Sequence, residues 1–386
     1  MTTSSSRRDF LRKAAVFSAL ASGTNLAAKA IDQNGKAMEE IEKFKKIDVH
    51  MHISSDATYL REVMDELNLK MNIMTNKGLQ ADRLKFQVDG AILMRKKLPR
   101  YYSWCTTFGF EGMYKPDWSE RVKDYLKYGF DNGALAVKVW KEIGMQVKNP
   151  NGEFVQIDDP IFYPILDYTK QEGKTLFTHI GDPVDNWLPV GSDGKPSFWY
   201  KEGADITINR IGKFQGEVSW ENLMLARDRM VAKHPDLKII GCHFLSMPHD
   251  VDLVAQRLDR FPNLALDTSL TVPYLMAQAR EKVRAFFIRY QDRILYGLDE
   301  SAGMIPSKYL KDMSKVGQQW TKEEVVKEKE NLLQRYRNDF IYYFTDNEIK
   351  LRNYSVRGLG LPEEALHKIF YSNAVNWVPG IDKDFA

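Results

Sequence analysis

From residue 46 to residue 301 the chain alternates short apolar runs with longer segments in which apolar side chains recur every three or four positions. The short runs read as strands: "KIDVHMHI", "MNIMTNK", "YYSWCTTFG", "LAVKVWKEIG", "TLFTHIG", "KIIGCHFL", "NLALDTS" and "RILYGLDES". Between them, "WSERVKDYLKYGF", "PIFYPILDYTKQEG", "ENLMLARDRMVAKHP", "DVDLVAQRLDRF" and "AREKVRAFFIRYQ" carry the helical period. Strands that alternate with helices pair in parallel through right-handed crossovers. Eight such units predict an α/β fold of the (β/α)8 TIM-barrel type, whose usual length of about 250 residues leaves room here for an insertion and a tail.

The insertion follows strand 5, where residues 182–220 are rich in Gly, Pro and Trp. A loop of this length in a compact domain has a purpose, such as a lid or a substrate wall. Trp187, Trp199 and Tyr200 either line a pocket there or anchor the loop to the barrel rim. The tail, "TKEEVVKEKENLLQRYRNDFIYYF", is an amphipathic helix whose charges form a solvated face.

At 386 residues and 44% apolar composition the chain can bury a sizeable core. Its net charge is +3. All of that comes from Arg7, Arg8, Arg12, Lys13 and Lys29, which face only Asp9 in the first thirty residues and leave the remainder slightly negative, so charge gives no support to nucleic-acid binding. Cys105 and Cys242 are too few for a disulfide framework, and their spacing suggests no cysteine metal site. The absence of a long apolar run argues against an integral membrane span. "SRRDFLRKAAVFSALASGTNLAAKA" sets a twin arginine before a mildly apolar stretch and the small-residue pattern Ala28-Lys29-Ala30, and so resembles a twin-arginine export signal. The expected organisation is a signal peptide over 1–30, a polar tether over 31–44 and a barrel over 45–380, in a protein exported to the periplasm.

Candidate chemistry lies at the strand ends. His50 and His52, two apart in the first strand, share a face opposite Val49, Met51 and Ile53. Taken alone, the pair reads equally well as metal ligands or as hydrogen-bonded core residues. His179 in "TLFTHIG", His243 in "IIGCHF" and Asp299 in "YGLDES" end three further strands, and a barrel gathers its C-terminal strand ends on one face. Three imidazoles and a carboxylate there suit Zn2+ with an open position for water, against the alternative of polar residues that fill the barrel mouth. His234, His249 and His367 sit at or beside predicted helices and read as structural.

The ordered set "DVHMH", "THIGDP", "GCHF", "YGLDES" and "IFYSNAVNWV" resembles the amidohydrolase superfamily, in the branch that also contains aminocarboxymuconate-semialdehyde-type decarboxylases. The resemblance spans residues 45–379. It implies His50, His52, His179 and Asp299 as metal ligands, with His243 as an acid/base or substrate-polarising group and Asp299 as a proton carrier. Some superfamily members bridge two metals through a carboxylated lysine after strand 4. Lys138 or Lys141 lies in that region, but a single ion, Zn2+ or else Mn2+, is favoured, leaving Lys138 as a substrate or second-metal residue. Asp267 and Glu300 are candidates to support the ligands.

Such a site serves metal-dependent hydrolysis of an amide, lactone or ester in a small molecule. The alternative is non-oxidative decarboxylation, and a third reading is a metal-binding protein without turnover. Hydrolysis is favoured because a decarboxylase is expected to grip its anion with Arg. The strand ends offer Lys138 and Lys141, and Arg210 comes only from the insertion. Homo-oligomerisation is left open.

Overall fold

The computed structural model describes residues 35–187, 218–305, 312–351 and 354–385. The strands are β1 (Lys46–Ile53), β2 (Leu69–Met74), β3 (Tyr102–Thr106), β4 (Ala136–Val139), β5 (Thr175–Thr178), β6 (Ile239–Gly241), β7 (Leu264–Asp267), β8 (Ile294–Leu295) and β9 (Glu300–Ala302). They form one sheet in the order β8-β7-β6-β5-β4-β3-β2-β1-β9, with parallel pairing throughout. Helices fill the connections, as in a (β/α)8 barrel.

The predicted eighth strand is split. Residues 296–299 leave the ladder between β8 and β9, yet the Val49 N–H donates to the Tyr296 carbonyl (2.9 Å) and the Asp299 N–H to the His50 carbonyl (2.8 Å). Those bonds close the sheet into a ring at β1. Gly297 sits in close quarters at the seam, because a Cβ there would lie 3.0 Å from His50 Cβ.

Each of the first eight strands sends an apolar side chain into the barrel, where Ile47, Met74, Cys105, Ala136, Phe177, Ile240, Ala265 and Leu295 pack together. Ala374, Val378, Ile381 and Phe385 close the floor. On β1 the expected alternation breaks. The register shifts between Asp48 and Met51, so Val49 joins the inner cluster while Met51 and Ile53 pack in the outer one. Such a bulge puts Val49 on the inside with the histidines instead of opposite them.

The tether is also corrected: Gly35–Lys43 is a helix that buries Met38 and Ile41 in the outer cluster. The Lys46 ammonium caps its end, donating to the carbonyls of Ile41 (2.6 Å), Glu42 (3.3 Å) and Phe44. The tail helix spans Lys322–Phe344, starting at a capping box between Thr321 and Glu324, and buries Leu332, Tyr336 and Phe340 beneath its charged face. In the insertion the Trp187 indole donates to the Val218 carbonyl (2.9 Å), which is the anchoring role. Residues 1–30, Trp199, Tyr200 and Arg210 lie outside the described residues.

Because Gly35–Lys43 is packed against the barrel, Ile41→Ala should lower the unfolding free energy by about 2–4 kcal/mol, measured by denaturant titration. A solvated tether would show no change.

Candidate metal centre and active site

His50 and His52 face the barrel mouth from the end of β1, and Asp299 meets them from the turn before β9. Both histidine Nε2 atoms approach the same carboxylate oxygen: His52 lies 3.1 Å and His50 3.6 Å from Asp299 Oδ1. Each ring is oriented from behind. His50 Nδ1 faces Asp267 Oδ2 at 2.8 Å, and His52 Nδ1 faces the Met74 carbonyl at 3.1 Å. Because both partners are acceptors, each Nδ1 carries a proton, and Nε2 is the nitrogen each ring turns to Asp299. Among the described residues, His50, His52 and Asp299 are close enough to hold one metal ion together.

His243 is oriented in the same way, its Nδ1 facing the Ser269 carbonyl (2.9 Å) and its Nε2 lying 3.8 Å from Asp299 Oδ2. His179 stands one step away, with Nδ1 3.2 Å from His243 Nε2 and Nε2 3.4 Å from Asp182 Oδ1. The barrel therefore brings His50, His52, His243 and Asp299 together and places His179 against His243. Lys138 reaches the cluster from β4, its ammonium 3.3 Å from His50 Nε2 and 2.9 Å from Cys242 Sγ. Lys141 instead donates to Asp182 (2.5 Å).

Asp267 is the hub beneath these rings. Oδ2 takes the His50 bond, while Oδ1 accepts from the backbone N–H groups of His243 (2.8 Å) and Ser269 (3.2 Å) and from the Ser269 hydroxyl (2.5 Å). The supporting role expected of Asp267 matches this geometry. Glu300 does not share it, because it turns to Arg335. Ser269 and Asp182 escaped the sequence reading, although "DTS" and "HIGD" place them two and three residues from singled-out positions.

The sixth strand is shorter than predicted. It ends at Gly241, and His243, Phe244, Leu245 and Ser246 all have left-handed backbones (φ 53–59°). Four such residues in a row are costly. The turn is held by the His243–Asp267 bond, by the Arg227 guanidinium on the Leu245 carbonyl and by the Ser246 hydroxyl on the Gly181 carbonyl (3.2 Å). His234 contacts Asp167 (3.5 Å), His249 packs on Trp220 and His367 bonds Ser372 (2.9 Å).

The sequence matches the amidohydrolase family over residues 47–379. The chain belongs to the amidohydrolase family. No curated protein matches it. Among solved structures it is similar to an uncharacterized TIM-barrel protein from Bordetella bronchiseptica (14% identity, 88% of this chain and 100% of that one, TM-score 0.45). It is also similar to 5-carboxyvanillate decarboxylase from Sphingomonas paucimobilis (12% identity, 87% and 99%, TM-score 0.44). A third is the same enzyme from Novosphingobium aromaticivorans, complexed with manganese and 4-hydroxy-3-methoxy-5-nitrobenzoic acid (13% identity, 87% and 96%, TM-score 0.45). Likeness at this level carries no argument about the reaction.

In this amidohydrolase-family barrel, burial and local charge set the protonation of the cluster. Burial, reinforced by the Lys138 ammonium, lowers His50 from the ordinary 6.5 to about 4, and burial followed by His243 holds His179 well below its usual range. Burial alone would push Asp299 up, but His50, His52 and His243 hold its carboxyl well below the usual carboxylate range. The same opposition, with His50 foremost, keeps Asp267 ionised.

A histidine whose folded pKa is lowered binds its proton more readily when unfolded, so its contribution is present above pH 6.5 and is lost as the pH falls towards about 4. Unfolding free energy measured in chelator should therefore fall over that window, and His50→Gln should flatten the decline.

Proposed function

We propose that this chain is a metal-dependent hydrolase that cleaves an amide, lactone or ester bond of a small molecule. The observation that carries the reading is the convergence of the His50 and His52 Nε2 atoms on Asp299 Oδ1, with both Nδ1 atoms already committed elsewhere. That donor set fits a borderline divalent ion, Zn2+ before Mn2+, held by His50, His52 and Asp299, while His179, expected as the third imidazole, stands one step behind His243. When bound, the ion supplies a polarised carbonyl and an acidified water.

The chain's own residues do the rest. Asp299 holds its ligand oxygen towards the β1 histidines and leaves Oδ2 towards His243, so it can take a proton from water and pass it on. His243, fixed through Nδ1 by Ser269, presents Nε2 to hold a developing oxyanion once protonated or to deliver the proton to the leaving group. Asp267 keeps His50 in one tautomer throughout.

Decarboxylation is the rival. Hydrolysis is preferred because, among the described residues, the two strand-end lysines are engaged, Lys138 with Cys242 and His50 and Lys141 with Asp182, and a lysine offers no bidentate carboxylate clamp.

His50→Ala, His52→Ala or Asp299→Ala should each strip the bound metal and abolish activity, as metal analysis and assay of the purified protein would show. His243→Asn should keep most of the metal while turnover drops by about 10²–10⁴-fold. Parallel loss of metal would make His243 a ligand.

In a screen of lactones, N-acyl compounds and aromatic carboxylates, an active substrate should release an acid without CO2. Chelator should stop the reaction, and Zn2+ or Mn2+ should restore it. Stoichiometric CO2 release would overturn the hydrolase reading.

A further inference from the structure

Asp299 has a left-handed backbone, with φ 62°. An aspartate keeps that conformation in a working site only when its neighbours hold it. Both neighbours are held from one helix outside the barrel wall, Lys322–Phe344. On the N-terminal side, Leu298 N–H donates to Asp48 Oδ1 (3.2 Å), and the same oxygen accepts from His50 N–H (2.8 Å). The other Asp48 oxygen accepts from the Tyr336 hydroxyl at 2.6 Å. On the C-terminal side, Glu300 pairs with Arg335. One carboxylate therefore ties the strand that carries His50 to the turn that carries Asp299, and Tyr336 fixes the orientation of that carboxylate.

The two grips are unequal. The Arg335 side chain is 51% exposed, and such a pair contributes little. Asp48 and Tyr336 are both fully buried and 2.6 Å apart, so loss of their bond leaves a carboxyl oxygen unpaired in a dry interior. The helix is itself braced, with Arg337 on Glu42 and Glu66 (2.6 Å each) and Lys329 on Glu62 (2.5 Å).

We propose that Tyr336, acting through Asp48, is a positioning residue that sets Asp299 against His50, so that the tail helix governs the metal affinity of the mouth. The proposal rests on the reading of His50 and Asp299 as metal-holding residues.

The test uses Tyr336→Phe in the full chain, with Leu332→Ala, buried on the same helix, as the control for general loosening. Three quantities are read: amide hydrogen exchange at His50 and Leu298, the Zn2+ dissociation constant by chelator competition, and the thermal midpoint. Tyr336→Phe should speed exchange at both amides and weaken Zn2+ binding by about 10–100-fold. Leu332→Ala should lower the thermal midpoint at least as far and leave Zn2+ affinity and both amides as in the unsubstituted protein. Unchanged affinity and exchange in Tyr336→Phe, or equal weakening in Leu332→Ala, would overturn the proposal. Asp299→Ala separates the two layers. If it binds Zn2+ as tightly as the unsubstituted protein, the metal reading fails, and the exchange data alone decide whether Tyr336 holds the turn.

Discussion

The structure depends on closure of the barrel at one seam, between β1 and the split eighth strand. The ladder bonds there come from the segment that carries the chemistry: Val49 to Tyr296, Asp299 to His50, then β9 along residues 51–53. The contacts that make the sheet a ring also set Asp299 beside the two β1 histidines. Stability and site geometry share one set of hydrogen bonds, and the seam packs closely at Gly297.

Burial is the cost of this arrangement, and pairing offsets it. Asp267, His50 and Lys138 are almost wholly removed from water, where an isolated charge would be strongly disfavoured. Asp267 answers with four accepted bonds, and His50 by staying neutral. The division is chemically useful. A neutral imidazole with its Nδ1 proton committed has one lone pair to offer, and an ionised aspartate has an oxygen to offer beside it.

Much of the fold was legible because period and composition are local properties. The eight strand runs and the five helical segments correspond to observed elements, since packing against a barrel demands that apolar positions recur at those spacings. Errors came where long-range contacts override local pattern. "KIIGCHFL" was read as strand to Leu245, whereas the Asp267 and Arg227 bonds draw residues 243–246 into a left-handed turn. Residues 35–43 read as tether because their polarity hides two apolar anchors, Met38 and Ile41, which matter only once a barrel wall lies beside them.

The sequence by itself determined the alternation of strands and helices, the family, and the presence of His50, His52, His179, His243 and Asp299 at strand ends, because those depend on residue type and spacing along the chain. Tertiary structure alone decided which of them meet. The β1 bulge turns Val49 inward with the histidines, His179 lies against His243 instead of beside Asp299, and Asp48, two residues before His50, reaches outward to Tyr336 almost three hundred positions later. The physical reason is that a hydrogen bond or ion pair depends on distances of a few ångströms, which the closure of the barrel creates between residues that have no proximity in sequence.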